Sequence, residues 1–250
     1  GTRMRKTILN LCFVSIGFCG LSEKLFKDGN QAIIDEKYQD AIQIYESMLE
    51  LNYKKSEVYY NLGNAYYKLN KIGQAIWSYM KALELSPRNT DLRHNLSVAK
   101  AKRIDRVELP STFFVLEYYR KIKYFFTLIE WLFIGSVVLV FNSLLLFFYR
   151  YGYFGAQASK STTPFLLALI IFIHLVVVDI YFQDKSGDSV VIIENNVNAF
   201  SAPFYGDKTI LFEINEGVIA DVIKEEKNWV EINLIDGKIG WINSKSVREL

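Results

Sequence analysis

The hydrophobic pattern of the chain is dominated by two apolar runs in its second half. Residues 131–149 and 164–182 are each 19 residues long, and aromatic side chains crowd their ends. A helix rises about 1.5 Å per residue, so either run covers most of the roughly 30 Å of a bilayer core. The pattern predicts two transmembrane helices joined by a loop at 150–163. Pro164 is expected in the first turn of the second helix, where its missing N–H costs nothing.

A shorter apolar run lies near the N-terminus, directly after a positively charged start. About ten apolar residues followed by small residues predict a secretory signal over residues 1–20, cleaved after Cys19. An uncleaved anchor and lipid attachment at Cys19 are the alternatives, and bulky Phe18 disfavours the lipid. Because a signal directs the residues after it across the membrane, we expect a cytoplasmic loop at 150–163 and both soluble portions in the periplasm.

Three polar residues interrupt the predicted spans: Asn142, His174 and Asp179. Polar groups inside a membrane are expensive and often functional, so a transporter or proton-relay role is one hypothesis. His174 and Asp179 are five positions apart and do not share a helix face. Hydrogen bonding between helices is therefore the favoured interpretation.

A different periodicity governs the first hundred residues. Shifted by 34 positions, the chain matches itself at glycine, asparagine, alanine and tyrosine positions. Such a period predicts stacked helical hairpins, with small residues where two helices cross. The matching pairs are Gly29 and Gly63, Asn30 and Asn64, Ala41 and Ala75, and Tyr45 and Tyr79.

This pattern resembles the tetratricopeptide repeat, most fully in the unit that carries Leu62-Gly63, Tyr66, Ala75, Tyr79, Ala82 and Pro87. The resemblance implies repeats at 22–55 and 56–89 within a domain at 21–108. A helix at 90–108 would cover the open apolar end of the stack.

The resemblance also implies a concave groove that binds a segment of a partner protein. Asparagine and tyrosine side chains there predict hydrogen bonding to an extended peptide backbone. Some relatives clamp a C-terminal carboxylate with basic residues, but those positions hold Phe26, Asp91 and Asn95, which disfavours that mode. The alternative is that Tyr60 and Tyr67 only pack within the stack. The predicted groove residues are Phe26, Asn30, Tyr60, Asn61, Asn64, Tyr67, Lys68 and His94.

Basic and aromatic residues are interleaved at 109–130, just before the first predicted span. This mixture predicts a juxtamembrane segment that lies against lipid headgroups. Nucleic acid is the competing ligand, and an extracytoplasmic location disfavours it.

From residue 186 to 250, short β-branched runs alternate with turn residues. About five strands, with Asp236-Gly237 as a hairpin signal, predict a small all-β barrel, and Glu225-Glu226 are expected in a solvated turn. The segment Gly237 to Ile242 resembles the bacterial SH3-like domain, which implies binding of peptides or cell-wall material. Trp229 and Trp241 are candidate groove residues, although core packing is the commoner role of tryptophan in so small a barrel.

Composition limits the chemistry. The 29 basic and 27 acidic residues leave a net charge of +2, without the basic excess that drives nucleic-acid binding. Both cysteines lie in the predicted signal, and the two histidines are eighty positions apart. We therefore expect a non-enzymatic protein with no metal and no cofactor.

The order of signal, repeats, paired spans and SH3-like domain resembles the BatE family of the aerotolerance (Bat) operon of Bacteroidetes, most specifically at 59–68. The resemblance implies partners with von Willebrand A domains, a MoxR-type ATPase system and a role in stress tolerance. The fold class expected is a multidomain membrane protein with an all-α repeat domain, two transmembrane helices and an all-β domain. The leading hypothesis is an inner-membrane scaffold. The alternative is a murein-peptide sensor or anchor acting through the SH3-like domain.

Overall fold

The computed structural model describes residues 20–105, 114–152, 156–186, 189–206 and 209–250. The predicted signal at 1–20 therefore lies outside the described residues except for its last residue, Gly20. The chain divides into two compact units, Gly1–Pro110 with Ser189–Leu250, and Ser111–Asp188.

In the part of the first unit that the structure describes, five helices precede the sheet, as the 34-residue period predicts. Their mutual faces bury one apolar cluster that includes the fully buried side chains of Tyr45, Met48, Leu62 and Ile76. Successive helices form antiparallel hairpins, and the fifth packs against the fourth. The helices are α1 (20–34), α2 (Tyr38–Glu50), α3 (Ser56–Lys68), α4 (Ile72–Leu85) and α5 (Thr90–Ala101).

The first three helices end in the same way. Glu36, Asn52 and Asn70 each adopt a left-handed backbone with φ between 57° and 60°, and the next residue's N–H bonds back into the last helical turn. The N–H of the left-handed residue itself also bonds to a carbonyl of that turn. The two hydrogen bonds together satisfy carbonyls that a helix end leaves without partners. Glu36 and Asn70 are 34 positions apart, so the repeat extends to its turns.

The second unit contains a short helix followed by two long ones. A capping box between Thr127 and Glu130 starts the second of these helices, and both long helices are long and apolar enough to cross a membrane. The candidate spans are Leu128–Arg150 and Thr162–Phe182. The helices are α6 (Phe114–Lys123), α7 (Leu128–Arg150) and α8 (Ala156–Ser186).

The start of α8 contradicts one expectation. The helix begins eight residues before Pro164, so Pro164 lies inside it rather than in its first turn. Residues expected in the loop, largely alanine, serine, glutamine and threonine, continue the helix, because alanine and glutamine favour that conformation and serine and threonine oppose it only weakly. Proline removes only one backbone hydrogen bond and allows the helix to continue with a local distortion.

The three polar residues of the apolar helices have different surroundings. Asn142 is buried between α7 and α8, and its Oδ1 accepts no hydrogen bond from the described residues. His174 is exposed, and its Nδ1 lies 2.8 Å from the carbonyl oxygen of Ile170 in its own helix. Asp179 forms the expected bond between helices, to Lys123 of α6.

The first unit ends in a seven-stranded antiparallel sheet with strand order β3-β2-β6-β5-β4-β1-β7. Buried side chains from β1 to β6 form one cluster, so the sheet bends around it. Gly237, at φ 86°, turns between β5 and β6 and confirms the predicted hairpin. The strands are β1 (Ser189–Ile192), β2 (Val197–Phe200), β3 (Ile210–Ile214), β4 (Ile219–Glu226), β5 (Trp229–Leu234), β6 (Ile239–Asn243) and β7 (Val247–Glu249), and a 3₁₀ turn (Ser244–Ser246) precedes β7.

Two details of the sheet differ from expectation. Glu225 and Glu226 belong to β4, where they pair with Val230 and Trp229, and are not in a turn. The strand β7 was not expected. It pairs with β1 at the edge of the sheet, and this edge is where the sheet meets the helices.

Candidate functional site

A tyrosine and two asparagines form a polar relay on the repeat helices. The Asn30 side-chain oxygen accepts two hydrogen bonds, one from the Tyr45 hydroxyl at 2.7 Å and one from the Asn61 amide at 2.8 Å. These residues come from α2, α1 and α3, so the relay ties three consecutive helices together.

The same relay recurs one repeat later. The Asn64 side-chain oxygen accepts from the Tyr79 hydroxyl at 2.8 Å and from the Asn95 amide at 3.1 Å. Each of the three residues lies 34 positions after its counterpart. Burial raises the pKa of Tyr45 to about 12 and that of Tyr79 further above its ordinary range, so both hydroxyls stay protonated donors.

Glycines make room for the two tyrosine rings. A Cβ atom on Gly29 would lie 2.7 Å from the ring of Tyr45, and one on Gly63 would lie 2.6 Å from the ring of Tyr79. Real Cβ atoms do not approach so closely. The glycines are therefore required by the relay's packing and not by backbone flexibility.

The other predicted groove residues surround the relays. Phe26 and Tyr60 occupy equivalent positions and pack on Tyr45 and Tyr79, each with ring centroids 6.3 Å apart. The ammonium of Lys102 lies 4.2 Å from the Tyr67 ring centroid. Lys68 and His94 are exposed. All eight predicted residues lie on α1, α3 or α5.

The relay uses the oxygens of its two central asparagines and leaves their NH₂ groups. The Asn30 and Asn64 oxygens each accept two hydrogen bonds, whereas the NH₂ groups of these amides donate to none of the described residues. An amide NH₂ donates to carbonyl oxygens. These two donor groups are 34 positions apart and so recur once per repeat.

The sheet contacts the helices on the side of α2 and α4. Arg248 of β7 forms a bidentate ion pair with Glu46, with N···O distances of 2.7 and 2.8 Å. The Tyr66 hydroxyl donates to the same carboxylate at 2.6 Å. The guanidinium also lies 3.6 Å above the Trp77 ring, whose Nε1 donates to the carbonyl oxygen of Glu249 at 2.6 Å. We call these residues the interdomain clasp.

Two glycines allow close backbone approach beside the clasp. A Cβ on Gly73 would lie 2.4 Å from the carbonyl oxygen of Ile192, and its N–H donates to the buried Glu216 carboxylate at 2.7 Å. A Cβ on Gly217 would lie 2.8 Å from Ile76. Apolar residues of the sheet also join the helical core. These are Val191, Ile219 and Leu250.

The clasp shifts the ionisation of its carboxylate. Burial alone would raise the pKa of Glu46, but the hydrogen bonds from Arg248 and Tyr66 outweigh it and lower that pKa below its ordinary value. The same environment raises the pKa of Tyr66, first through burial and then through its bond to the carboxylate. Glu46 is therefore an anion at neutral pH, and the pair is complete.

The two tryptophans of the sheet lie outside its core cluster, unlike the commoner role of tryptophan in a small barrel. Trp229 is half-buried and packs on Tyr205 and Phe200, with ring centroids 4.7 and 5.5 Å apart. Trp241 is buried, with 7% of its surface exposed, and the Lys224 ammonium lies 5.7 Å from its ring centroid. Of the two, only Trp229 is open to a ligand.

Known protein families match both parts of this unit. The tetratricopeptide repeat model matches residues 56–89, which are α3 and α4 with their flanking turns. The bacterial SH3 domain model matches residues 194–249, from just after β1 through β7. The chain carries a tetratricopeptide repeat and a bacterial SH3 domain.

Similarity to individual proteins covers a smaller part of the sequence. The chain is 32% identical over 91 residues to sperm-associated antigen 1 of Mus musculus, which covers 36% of this chain and 10% of that protein. The Rattus norvegicus protein of the same name is 31% identical over 91 residues, with the same shares. The chain thus spans about a tenth of the length of the curated relatives it matches.

Sequence reasoning did not include the tyrosine hydroxyls of the relays or the clasp among the functional residues. Tyr45 and Tyr79 were visible as a 34-residue pair, but only the structure shows which asparagine each one bonds. Nothing local marks Arg248, because its partner lies 202 positions away.

Proposed function

We propose that the protein is a non-enzymatic scaffold of the inner membrane whose repeat groove binds an extended segment of a partner protein. The occurrence of the same relay in two consecutive repeats is the observation that carries this proposal. It fixes two asparagine amides one repeat apart, with their donors available to peptide carbonyls. In this role the protein holds a partner and catalyses no reaction.

The membrane placement rests on α7 and α8. An even number of spans returns the chain to its starting side, and the clasp joins a domain before the spans to a domain after them. Both observations support a location of the repeats and the SH3 domain on the same side of the membrane. The expected signal would direct the repeats across the membrane, so that side would be the periplasm. The loop that joins α7 to α8 would then face the cytoplasm.

The candidate partners come from the family resemblance in the sequence. They are membrane proteins with von Willebrand A domains, working with a MoxR-type ATPase system in a Bat-type aerotolerance complex. The groove chemistry supports a protein partner that presents an extended backbone.

A photocrosslinker tests groove binding. A benzophenone amino acid replaces Lys68, beside the relay, or Lys54, an exposed lysine in the turn before α3, in cells that express the full chain. We expect the Lys68 position to yield one discrete adduct, mapped by mass spectrometry to one segment of one protein. Equal adducts from both positions would contradict the proposal.

The substitution Asn64→Asp separates binding from folding. A carboxylate still accepts from Tyr79 and Asn95, so the relay and the fold are retained. The NH₂ donor is lost and a negative charge faces the ligand's carbonyls. The adduct should disappear while thermal stability changes little. Retention of the adduct in this variant would show that Asn64 does not bind the partner.

A second candidate function is binding of murein peptide by the SH3 domain. The aromatic cluster of Trp229, Tyr205 and Phe200 favours it, because the exposed Tyr205 and the half-buried Trp229 present ring surface to solvent and pack on the buried Phe200. Purified murein sacculi should then retain the full chain and lose it on Trp229→Ala. Retention that is unaffected by Trp229→Ala would remove this cluster from consideration.

A further inference from the structure

The short helix α6 has a face that is fastened to the long helices of its unit. The Lys123 ammonium lies 2.6 Å from the Asp179 carboxylate of α8, and the Tyr119 hydroxyl donates to the same oxygen at 2.7 Å. The side chain of Lys123 is only 4% exposed. The Trp131 indole donates to the backbone carbonyl of Lys123 at 3.1 Å. These four residues fix the position of α6 against α7 and α8.

A second face of α6 is apolar and uncovered. Val115, Tyr118 and Ile122 are 51%, 69% and 37% exposed. Their spacing of three and four residues puts them on one side of the helix. This apolar side lies next to the face that carries Tyr119 and Lys123, because Tyr119 directly follows Tyr118 and Lys123 directly follows Ile122 in the helix.

A third face carries charge. Arg120 and Lys121 are both exposed. At about 100° per residue they lie on the far side of the helix from Val115. Among the described side chains of α6, the exposed apolar residues and the exposed basic residues therefore lie on different sides of the helix, as in a helix that lies in a membrane interface.

Two positions show at which level of the bilayer α6 would lie. Asp179 is three residues before Phe182, where the second candidate span ends, and Lys123 is five residues before Leu128, where the first begins. The ion pair thus joins α6 to the same end of both apolar helices. Tyrosine and long basic side chains are favoured at this depth, because their apolar parts reach the acyl chains and their polar ends reach water.

We propose that α6 lies in the headgroup layer of the bilayer crossed by α7 and α8, with Val115, Tyr118 and Ile122 towards the acyl chains and the Lys123–Asp179 pair as its anchor. This inference rests on the proposed membrane placement. Pairing leaves the lysine and the aspartate jointly neutral, which lowers the cost of holding them at the membrane boundary. In this arrangement Asp179 positions a helix and does not take part in transport.

Spin-label depth measurements on the purified full chain in phosphatidylcholine nanodiscs test the proposal. Each variant carries one cysteine, with Cys12 and Cys19 replaced by alanine. We expect a spin label at Tyr118→Cys to collide more often with dissolved oxygen, which is concentrated in the acyl chains, than with a water-soluble nickel complex. A label at Arg120→Cys should show the reverse. Labels at Val137→Cys on α7 and Lys24→Cys on α1 give the membrane and aqueous references.

The references distinguish two failures. An aqueous signal at Val137→Cys would overturn the membrane placement itself. A membrane signal at Val137→Cys with an aqueous signal at Tyr118→Cys would overturn only the placement of α6. The scaffold protein at the rim of the nanodisc is the other protein present, so no natural partner can cover the apolar face.

Removal of the anchor provides the second readout. Asp179→Asn keeps the side-chain shape but loses the charge, so the label at Tyr118→Cys should become more mobile. His174→Ala, on the same helix, is the matched control and should leave the spectrum unchanged. The charge swap Lys123→Asp with Asp179→Lys should restore the restricted spectrum. Identical spectra for Asp179→Asn and the unsubstituted chain would contradict the anchor.

Discussion

Arg248 and Glu46 are 202 positions apart and form the bidentate ion pair that joins the SH3 domain to the repeats. Both side chains are about one-quarter exposed, at 27% and 26%. The arginine stacks on Trp77 as well, so the contact combines charge, aromatic packing and hydrogen bonding. Buried arginine and tryptophan often carry most of the energy of an interface.

The ion pair should contribute measurable coupling. We expect Arg248→Met and Glu46→Gln each to increase hydrogen exchange in β7, as that strand separates from α2 and α4. In a double-mutant cycle the coupling free energy should be about 1–3 kcal/mol, because charge-assisted bidentate bonds are the stronger kind. Additive effects of the two substitutions would show that the pair does not hold the domains together.

Acid should weaken the contact between the domains. The folded pKa of Glu46 is below its ordinary value, so its stabilising contribution is complete above about pH 4.3, the usual pKa of glutamate. It is lost as the pH falls from that value through the lowered pKa. Exchange in β7 should rise over this acidic range, and Glu46→Gln should remove most of that dependence. The same acid sensitivity in Glu46→Gln would exclude Glu46 as its source.

A single methyl group at Gly73 should separate the domains. The new Cβ would lie 2.4 Å from the backbone oxygen of Ile192. A side chain could rotate to relieve this contact, but a backbone carbonyl cannot move without shifting the strand. Gly73→Ala should cost about 1–3 kcal/mol, the usual cost of overpacking. Gly20→Ala, where no atom lies within 4 Å, is the control. Equal thermal stability of the two variants would contradict the close approach.

Loss of one relay hydroxyl should destabilise the repeats. Tyr79→Phe removes a donor from the Asn64 oxygen, and we expect a loss of about 1 kcal/mol in the free energy of unfolding. Tyr118→Phe, at a side chain 69% exposed, should have no effect. Urea titration in detergent measures both. An unchanged midpoint for Tyr79→Phe would show that the hydroxyl bond is energetically neutral.

The outer aromatic cluster of the SH3 domain should be more dispensable for folding than its core. Ile232 is fully buried, so Ile232→Ala should cost about 2–5 kcal/mol. Trp229→Ala should cost less, although it removes a larger side chain, because Trp229 is half-buried outside the core cluster. Thermal unfolding compares the two. A larger loss for Trp229→Ala would assign that residue to the core.

The sequence predicts most of the helical architecture because the 34-residue period repeats glycine, asparagine and tyrosine together. The face of β5 was also readable. Val230, Ile232 and Leu234 alternate with Trp229, Glu231 and Asn233, and this alternation puts Trp229 on the polar side. For Trp229, its position in this alternation predicted its surroundings better than the usual role of tryptophan as a core residue.

The remaining features depend on contacts that no local pattern encodes. The clasp joins residues that come before the two candidate membrane helices in the sequence to residues that come after them, so neither partner stands out in its own segment. The start of α8 is hard to predict because polar residues before Pro164 resemble a loop, while their helix propensity is adequate. Asp179 stands out as a charge in an apolar run, but its partner Lys123 belongs to another helix.

The most direct test of a one-sided scaffold is labelling of single cysteines in intact spheroplasts by a membrane-impermeant maleimide. The positions are Lys54→Cys in the repeats, Lys227→Cys in the SH3 domain and Gly152→Cys after α7, all exposed. Lys54→Cys and Lys227→Cys should both be labelled in intact spheroplasts. Gly152→Cys should be labelled only after the membrane is permeabilised. Reaction of just one of the two domain positions in intact spheroplasts would contradict a single body on one side of the membrane.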